Sequence, residues 1–141
     1  MKTRDTELLD QAIENLEKNT GLIIEVVHYL HEHKDIDATG TLNTGVTTIP
    51  LAIELKTRVT NALIGQLVYQ FEQATEQGLL IADYINPIMA ERLKAMDIWF
   101  LDAVGNTYIN TKPVFIFIKG NKAVEKPTAR TQQRAFRPSG L

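Results

Sequence analysis

The stretch DATGTLNTGVTTIPLAIELK, running from Asp37 to Lys56, reads as two strands joined by a turn. Ile36 to Leu42 and Val46 to Lys56 are rich in β-branched and apolar residues, and Asn43-Thr44-Gly45 between them is hairpin chemistry, so the two strands are expected to run antiparallel. Asp37 then lies early in one strand, and Glu54 and Lys56 lie near the end of the next. Side chains alternate along a strand, which puts Ala52, Glu54 and Lys56 on one face and turns Leu51, Ile53 and Leu55 toward a core. A carboxylate and an ammonium held against a sheet are costly unless neutralised, so the pair implies either mutual neutralisation or a third partner such as a metal ion. Pro50 cannot donate to a ladder and marks an edge or bulged position just ahead of this segment.

Working outward, Leu8, Leu9, Ala12, Ile13 and Leu16 recur on one helical stripe, predicting a helix over 5–19 with Thr3 or Asp5 as its N-cap and Asn19 to Gly21 as its exit. Leu22 to Leu30 reads as a strand, with His31 to Asp35 as a turn or strand extension. Downstream, Leu63, Ile64, Leu67, Val68, Phe71 and Ala74 predict a second helix from about Thr60 to Gln77, stopped by Gly78. Leu79 to Tyr84 is a short apolar run, and Asn86-Pro87 is an N-cap with proline at the first helical position, opening a helix over Ile88 to Met96. Ile98 to Leu101 is a strand, Asp102 to Asn106 a turn, and Thr107 to Thr111 and Val114 to Ile118 follow as strands. Hairpin-linked strands pair antiparallel and strand-helix-strand units pair parallel, so the fold class is α/β with a mixed sheet flanked by helices.

A chain of 141 residues is the size of one ordinary domain. The absence of cysteine excludes disulfides, cysteine-ligated zinc and cysteine nucleophiles. No apolar run approaches a membrane span and no signal-peptide pattern opens the chain, so a cytoplasmic protein without membrane contact is expected. The net charge of -2 hides an asymmetry. Residues 119–141 carry six basic side chains against Glu125, a balance of +5, which leaves -7 on residues 1–118. Such a tail is either a solvated terminus or an extension that tracks phosphates by releasing counterions.

The order helix, strand, Asp37, hairpin, Ile53-Glu54-Leu55-Lys56, helix resembles the PD-(D/E)XK, or restriction-endonuclease-like, nuclease superfamily, with Ile36 where the name-giving proline would stand. A second resemblance spans nearly the whole chain. Leu80 to Tyr84, Asn86-Pro87, Met89 to Leu93, Ile98 to Asp102, Gly105-Asn106 and Phe117 to Lys122 look like AbiEi-type antitoxin or regulator proteins, in which a nuclease-like domain precedes a DNA-binding winged helix. Together these imply a restriction-endonuclease-like three-layer sandwich over residues 1–120, and a basic tail or linker over 121–141 leading toward a winged helix absent from this sequence.

The resemblance implies that Asp37 and Glu54, with the carbonyl of Leu55, hold Mg²⁺ or Mn²⁺, because such cations take hard oxygen ligands. Lys56 is then the group that orients water or offsets charge on the phosphoryl oxygens. Gln66, three residues before Tyr69 on the second helix, is similar to the glutamine that some of these nucleases place beside the metal, and Glu14 is a further candidate carboxylate. His28, His31 and His33 are better explained by surface roles, Trp99 by the core, and Asp83 and Asp102 by capping and turn chemistry. The function expected is a metal-dependent DNA endonuclease. The alternatives are a catalytically inactive nuclease-like module of an antitoxin-like transcriptional regulator that binds DNA or dimerises, and a purely structural domain. DNA, a second copy of the chain, and a toxin or operon partner are the partners so implied.

Overall fold

The structure is a computed structural model that describes residues 4–29, 36–112 and 114–122. Its elements are α1 (Arg4–Thr20), β1 (Ile23–Tyr29), β2 (Ala38–Asn43), β3 (Thr48–Lys56), α2 (Asn61–Gln73), β4 (Gln77–Ala82), α3 (Pro87–Ala95), β5 (Trp99–Asp102), β6 (Thr107–Thr111) and β7 (Val114–Ile118). The strands form one seven-stranded sheet whose spatial order is the chain order. Pairing is antiparallel from β1 to β3, parallel from β3 through β5, and antiparallel again from β5 to β7. The mixed α/β class expected from the sequence is what the chain adopts.

Helix α1 forms because Leu9, Ala12 and Leu16 make a buried stripe, and it ends where Gly21 takes φ +82 and its N–H bonds the carbonyl of Glu17. The predicted caps Thr3 and Asp5 lie outside what can be described of the side chains. The β2–β3 turn is built by Asn43 and Thr44, whose side-chain oxygens accept from the N–H groups of Gly45, Val46 and Thr47, so strand β3 begins at Thr48 rather than Val46. Thr60 and Asn86 cap α2 and α3 as their sequences require, accepting from the N–H groups of Leu63 and Met89.

One expectation needs correcting and another extending. The second helix stops at Gln73 with Ala74 as its C-cap, four residues short of the predicted end, because Gln77 and Gly78 are drawn into β4, opposite Leu51 and Ala52. Gly78 is therefore a strand residue, and it is glycine because the ring of Phe71 lies where a Cβ would stand, 2.2 Å away. The alternation expected of β3 agrees with Glu54 and Lys56 meeting at 3.5 Å on one face, but neither face is wet along the strand's middle. Leu51, Ala52, Ile53 and Glu54 are all buried in succession, since β3 is an interior strand paired on both edges and covered on both faces. Pro50 is tolerated because β3 meets β4 only from Leu51 onward, which leaves Pro50 paired on one side alone, with Thr41 of β2.

Strand β1 is held against β2 through a register shift between Val26 and His28, and Gly40 sits opposite Val26 at that irregularity. A Cβ on Gly40 would lie 2.4 Å from the backbone oxygen of Glu25, a neighbour that cannot swing aside. Gly40→Ala is expected to lower unfolding stability by about 2 kcal/mol, measured in urea, through displacement of the β1 edge.

Candidate metal and phosphodiester site

The site is assembled where β3 leaves the sheet. Ala38 pairs with Ile53, so Asp37 and Glu54 lie one step beyond the last register pair of the β2–β3 ladder. Asp37 is fastened to β3 on either side of Glu54: its N–H donates to the carbonyl of Ile53 at 2.9 Å, and its Oδ2 accepts from the N–H of Leu55 at 2.8 Å. The hairpin register thus brings the two carboxylates together across seventeen residues of chain.

Glu54 is only 3% exposed, and among the described residues no hydrogen bond reaches its Oε1. Its other oxygen, Oε2, lies 3.5 Å from the Lys56 ammonium, whose side chain is 39% exposed. Burial, and then the nearby Asp37 carboxylate, push the Glu54 carboxyl up to about 7, against the opposing pull of Lys56. The pair is accordingly not a surface ion pair on a solvated face. It is a buried acid that meets a second acid on one side and a half-exposed cation on the other.

A buried carboxylate oxygen without a donor is costly to leave so; below about pH 7 a proton shared toward Asp37 satisfies it, and once that proton is lost a hard cation does so instead. Asp37, Glu54 and the Leu55 carbonyl are all oxygen donors on two adjacent strands, a set that suits Mg²⁺ or Mn²⁺ and not a soft metal. Among the described residues no group of three or more His, Asp or Glu side chains could hold a metal ion, so such a site would be completed by water, as Mg²⁺ tolerates.

Gln66 is exposed on α2, beside a shallow depression shared with Gly65, Tyr69 and Gln70, and among the described residues it makes no hydrogen bond to Asp37, Glu54 or Lys56. Tyr69 is 66% exposed. Glu14 is exposed on α1, and His28 is exposed on the edge strand β1. His31 and His33 lie outside the described residues. Trp99 is in the core.

Asp102 is a structural acid. It is 1% exposed, and burial raises its carboxyl above the usual range. Its two oxygens accept from the N–H groups of Ile85, Val104 and Asn106 and from the Asn106 side chain, at 2.7 to 3.0 Å. Those bonds tie the β5–β6 turn, where Gly105 takes φ +99, to the entry of α3. Sequence reading did not single out Arg58, two residues past Lys56, although it is an exposed cation following the site on the same connection.

Comparison with protein-family models, with curated proteins and with solved structures finds no match to this chain.

Proposed function

We propose that the chain is a metal-dependent phosphodiesterase acting on DNA, an endonuclease of the PD-(D/E)XK kind. One observation carries this reading: a buried glutamate with an undonated oxygen, bracketed by an aspartate fixed to its own strand and by a lysine two residues on. The element order around it supports the same reading. A helix, a three-strand meander carrying the aspartate and the Glu-Leu-Lys segment, and a crossover helix stand in the sequence expected of that superfamily. Right-handed crossovers would set α2 and α3 on one face of the parallel strands and leave α1 for the other, giving the three-layer sandwich.

Asp37 and Glu54, with the Leu55 carbonyl, would hold Mg²⁺ or Mn²⁺. When bound, such a cation supplies Lewis-acid polarisation of a phosphoryl oxygen and a more acidic water. The chain's own groups do the remainder. Asp37 keeps its orientation through the Leu55 N–H, so its carboxylate does not need to be ordered on binding. Lys56, anchored near Glu54 yet reaching solvent, puts a positive charge where negative charge grows on the phosphoryl oxygens. The hydrophobic β3–β4 pairing beneath excludes water from one side of Glu54 and strengthens these interactions.

The test is a titration of the full chain with Mg²⁺ and Mn²⁺ by calorimetry, alongside a plasmid-nicking assay, comparing wild type with Asp37→Asn. The amide keeps an acceptor for the Leu55 N–H but removes a charge, so folding is expected to persist while metal affinity falls at least tenfold and nicking disappears. Metal binding without nicking in the wild type would instead favour the inactive nuclease-like module of a regulator. The observation on that side is that Gln66 is exposed and, among the described residues, makes no hydrogen bond to the paired acids. Absence of both binding and nicking would overturn the metal site itself.

A further inference from the structure

A second concavity lies at the other end of the parallel strands, away from Asp37 and Glu54. It is a cavity of about 240 Å³ between the C-terminal half of α2, the first residues of β4 and the link from α3 to β5. Val68, Phe71, Met96 and Ile98 give it apolar walls. Glu72, Glu76 and Asp97 add three carboxylates, and among the described residues no lysine or arginine lines it.

Each of these acids stands where local physics disfavours it. Glu72 is in the last turn of α2, Glu76 lies three residues past the end of that helix, and Asp97 lies two past the end of α3. All three therefore meet the negative end of a helix dipole, where cations are preferred. The last turn of α2 holds no basic residue to offset them. Those in the last turn of α3 are engaged elsewhere: Arg92 donates to Asn61, and the Lys94 ammonium sits 5.2 Å from the centre of the Phe117 ring. Asp97 also takes φ +56 in the position after the α3 cap, where its N–H and that of Ile98 bond back to the carbonyls of Lys94 and Leu93 and where glycine is the favoured residue. Its Oδ1 accepts from the Tyr108 hydroxyl at 2.7 Å. Glu72 and Glu76 form no ion pair and no side-chain hydrogen bond among the described residues.

The lining sets the build of the cation that would relieve this grouping. Among the described residues no three His, Asp or Glu side chains stand close enough to share a metal ion, and apolar walls offer nothing to a hydrated one. A cation with an aliphatic stem uses both the walls and the acids. Its size is bounded, because pockets for drug-sized ligands run from roughly 300 to 1,000 Å³ and this cavity is smaller. Met96 is the one large exposed apolar side chain in the lining, whereas a protein interface centres on a cluster of them, so the surface suits a free small molecule and not a docked protein.

We propose that this cavity binds a small organic cation, an alkylguanidinium or alkylammonium, with its stem against Val68, Phe71, Met96 and Ile98 and its charge among Glu72, Glu76 and Asp97. The site stands apart from the phosphodiesterase reading, which concerns the opposite end of the sheet.

The test is a titration of the full chain with n-butylguanidinium, followed by NMR shifts of backbone amides and methyl groups. Saturable shifts are expected at Gly78, Met96 and Ile98, with a Kd of about 1 mM, the range of a ligand this small. Neutral n-butylurea has the same shape and is expected to bind at least tenfold more weakly, as is methylguanidinium, which lacks most of the stem. Glu72→Gln combined with Glu76→Gln is expected to lower affinity for n-butylguanidinium at least tenfold. Asp97→Asn, which keeps an acceptor for Tyr108, is expected to do the same, and Glu17→Gln on α1 to leave affinity unchanged. Glutamine and asparagine preserve shape at these exposed or half-buried positions, and unaltered circular dichroism checks that the variants fold. No saturation at tenfold the expected Kd, shifts spread over the whole surface, n-butylurea binding as well as the cation, or unchanged affinity in the double variant would each overturn the site. A blocked tripeptide with arginine at its centre that binds more than tenfold tighter than n-butylguanidinium would overturn the assignment to a free molecule. None of these readouts depends on nicking, so failure here leaves the phosphodiesterase reading standing, and the reverse holds.

Discussion

Glu54→Gln is expected to make the protein more stable than wild type at pH 8, by about 3 kcal/mol in urea unfolding, with no advantage at pH 4. The Glu54 carboxyl stands at about 7 in the folded chain, against an ordinary value of 4.5, because burial and then Asp37 disfavour its charge. Below pH 4.5 the group is protonated in both folded and unfolded chains and distinguishes neither. Between 4.5 and 7 the folded chain holds a proton that the unfolded chain releases, so stability falls as pH rises, by about 1.4 kcal/mol per unit, and it levels off above 7. Glutamine has no proton to lose, and its amide can donate toward the Asp37 carboxylate. The variant's curve should therefore be flat through the window in which the wild type declines. A wild type as stable at pH 8 as at pH 5.5, or a variant weaker at pH 8, would show that Glu54 is not held in the unfavourable setting described. The same substitution is expected to remove the stabilisation that Mg²⁺ gives the wild type, which at a hundredfold excess over its dissociation constant would amount to about 2.7 kcal/mol. An arrangement that weakens the apo fold and is relieved by a cation is difficult to explain as scaffolding.

Lys56→Met is expected to reduce single-turnover plasmid nicking by about 10²- to 10³-fold, the usual consequence of deleting one charge aimed at a developing oxyanion. The folded state should persist near neutral pH, because Glu54 takes up a proton once the ammonium is gone and no unpaired buried charge remains. Two consequences of the substitution can be told apart. Without the ammonium 3.5 Å away, the Glu54 carboxyl moves higher still, so metal affinity near neutral pH also falls. Raising the pH to 9 should restore metal binding measured by calorimetry and leave the rate low. Recovery of both together would reduce Lys56 to a partner that keeps Glu54 ionised, and an unchanged rate at pH 7 would remove it from the chemistry.

Much of the fold is legible in the sequence. Asn86-Pro87 and the Asn43-Thr44-Gly45 turn are local devices, and each does its predicted work because capping and turn formation depend on residues within a few positions of one another. The end of α2 was misjudged for the opposite reason. Helical periodicity continues to Ala74, but pairing of Gln77 and Gly78 with Leu51 and Ala52 of β3 outweighs a weak local preference for extending the helix. The alternation of β3 was legible, but nothing local announces that a strand will be covered on both faces, as the burial of Leu51, Ala52, Ile53 and Glu54 in succession requires. For Gln66 and Tyr69 helical spacing defines a shared face, and the structure adds that this face is exposed.

By itself the sequence determined the order of elements, the turns between them and the presence of an aspartate, a glutamate and a lysine at hairpin spacing, because these follow from short-range sterics and hydrogen bonding. Only the tertiary structure decided that Asp37 bonds the strand on both sides of Glu54, that one oxygen of Glu54 is buried without a donor, and that Glu72, Glu76 and Asp97 line one cavity. Those outcomes depend on register and strand direction, which are set by which distant surfaces pack best, and no window of neighbouring residues contains that information.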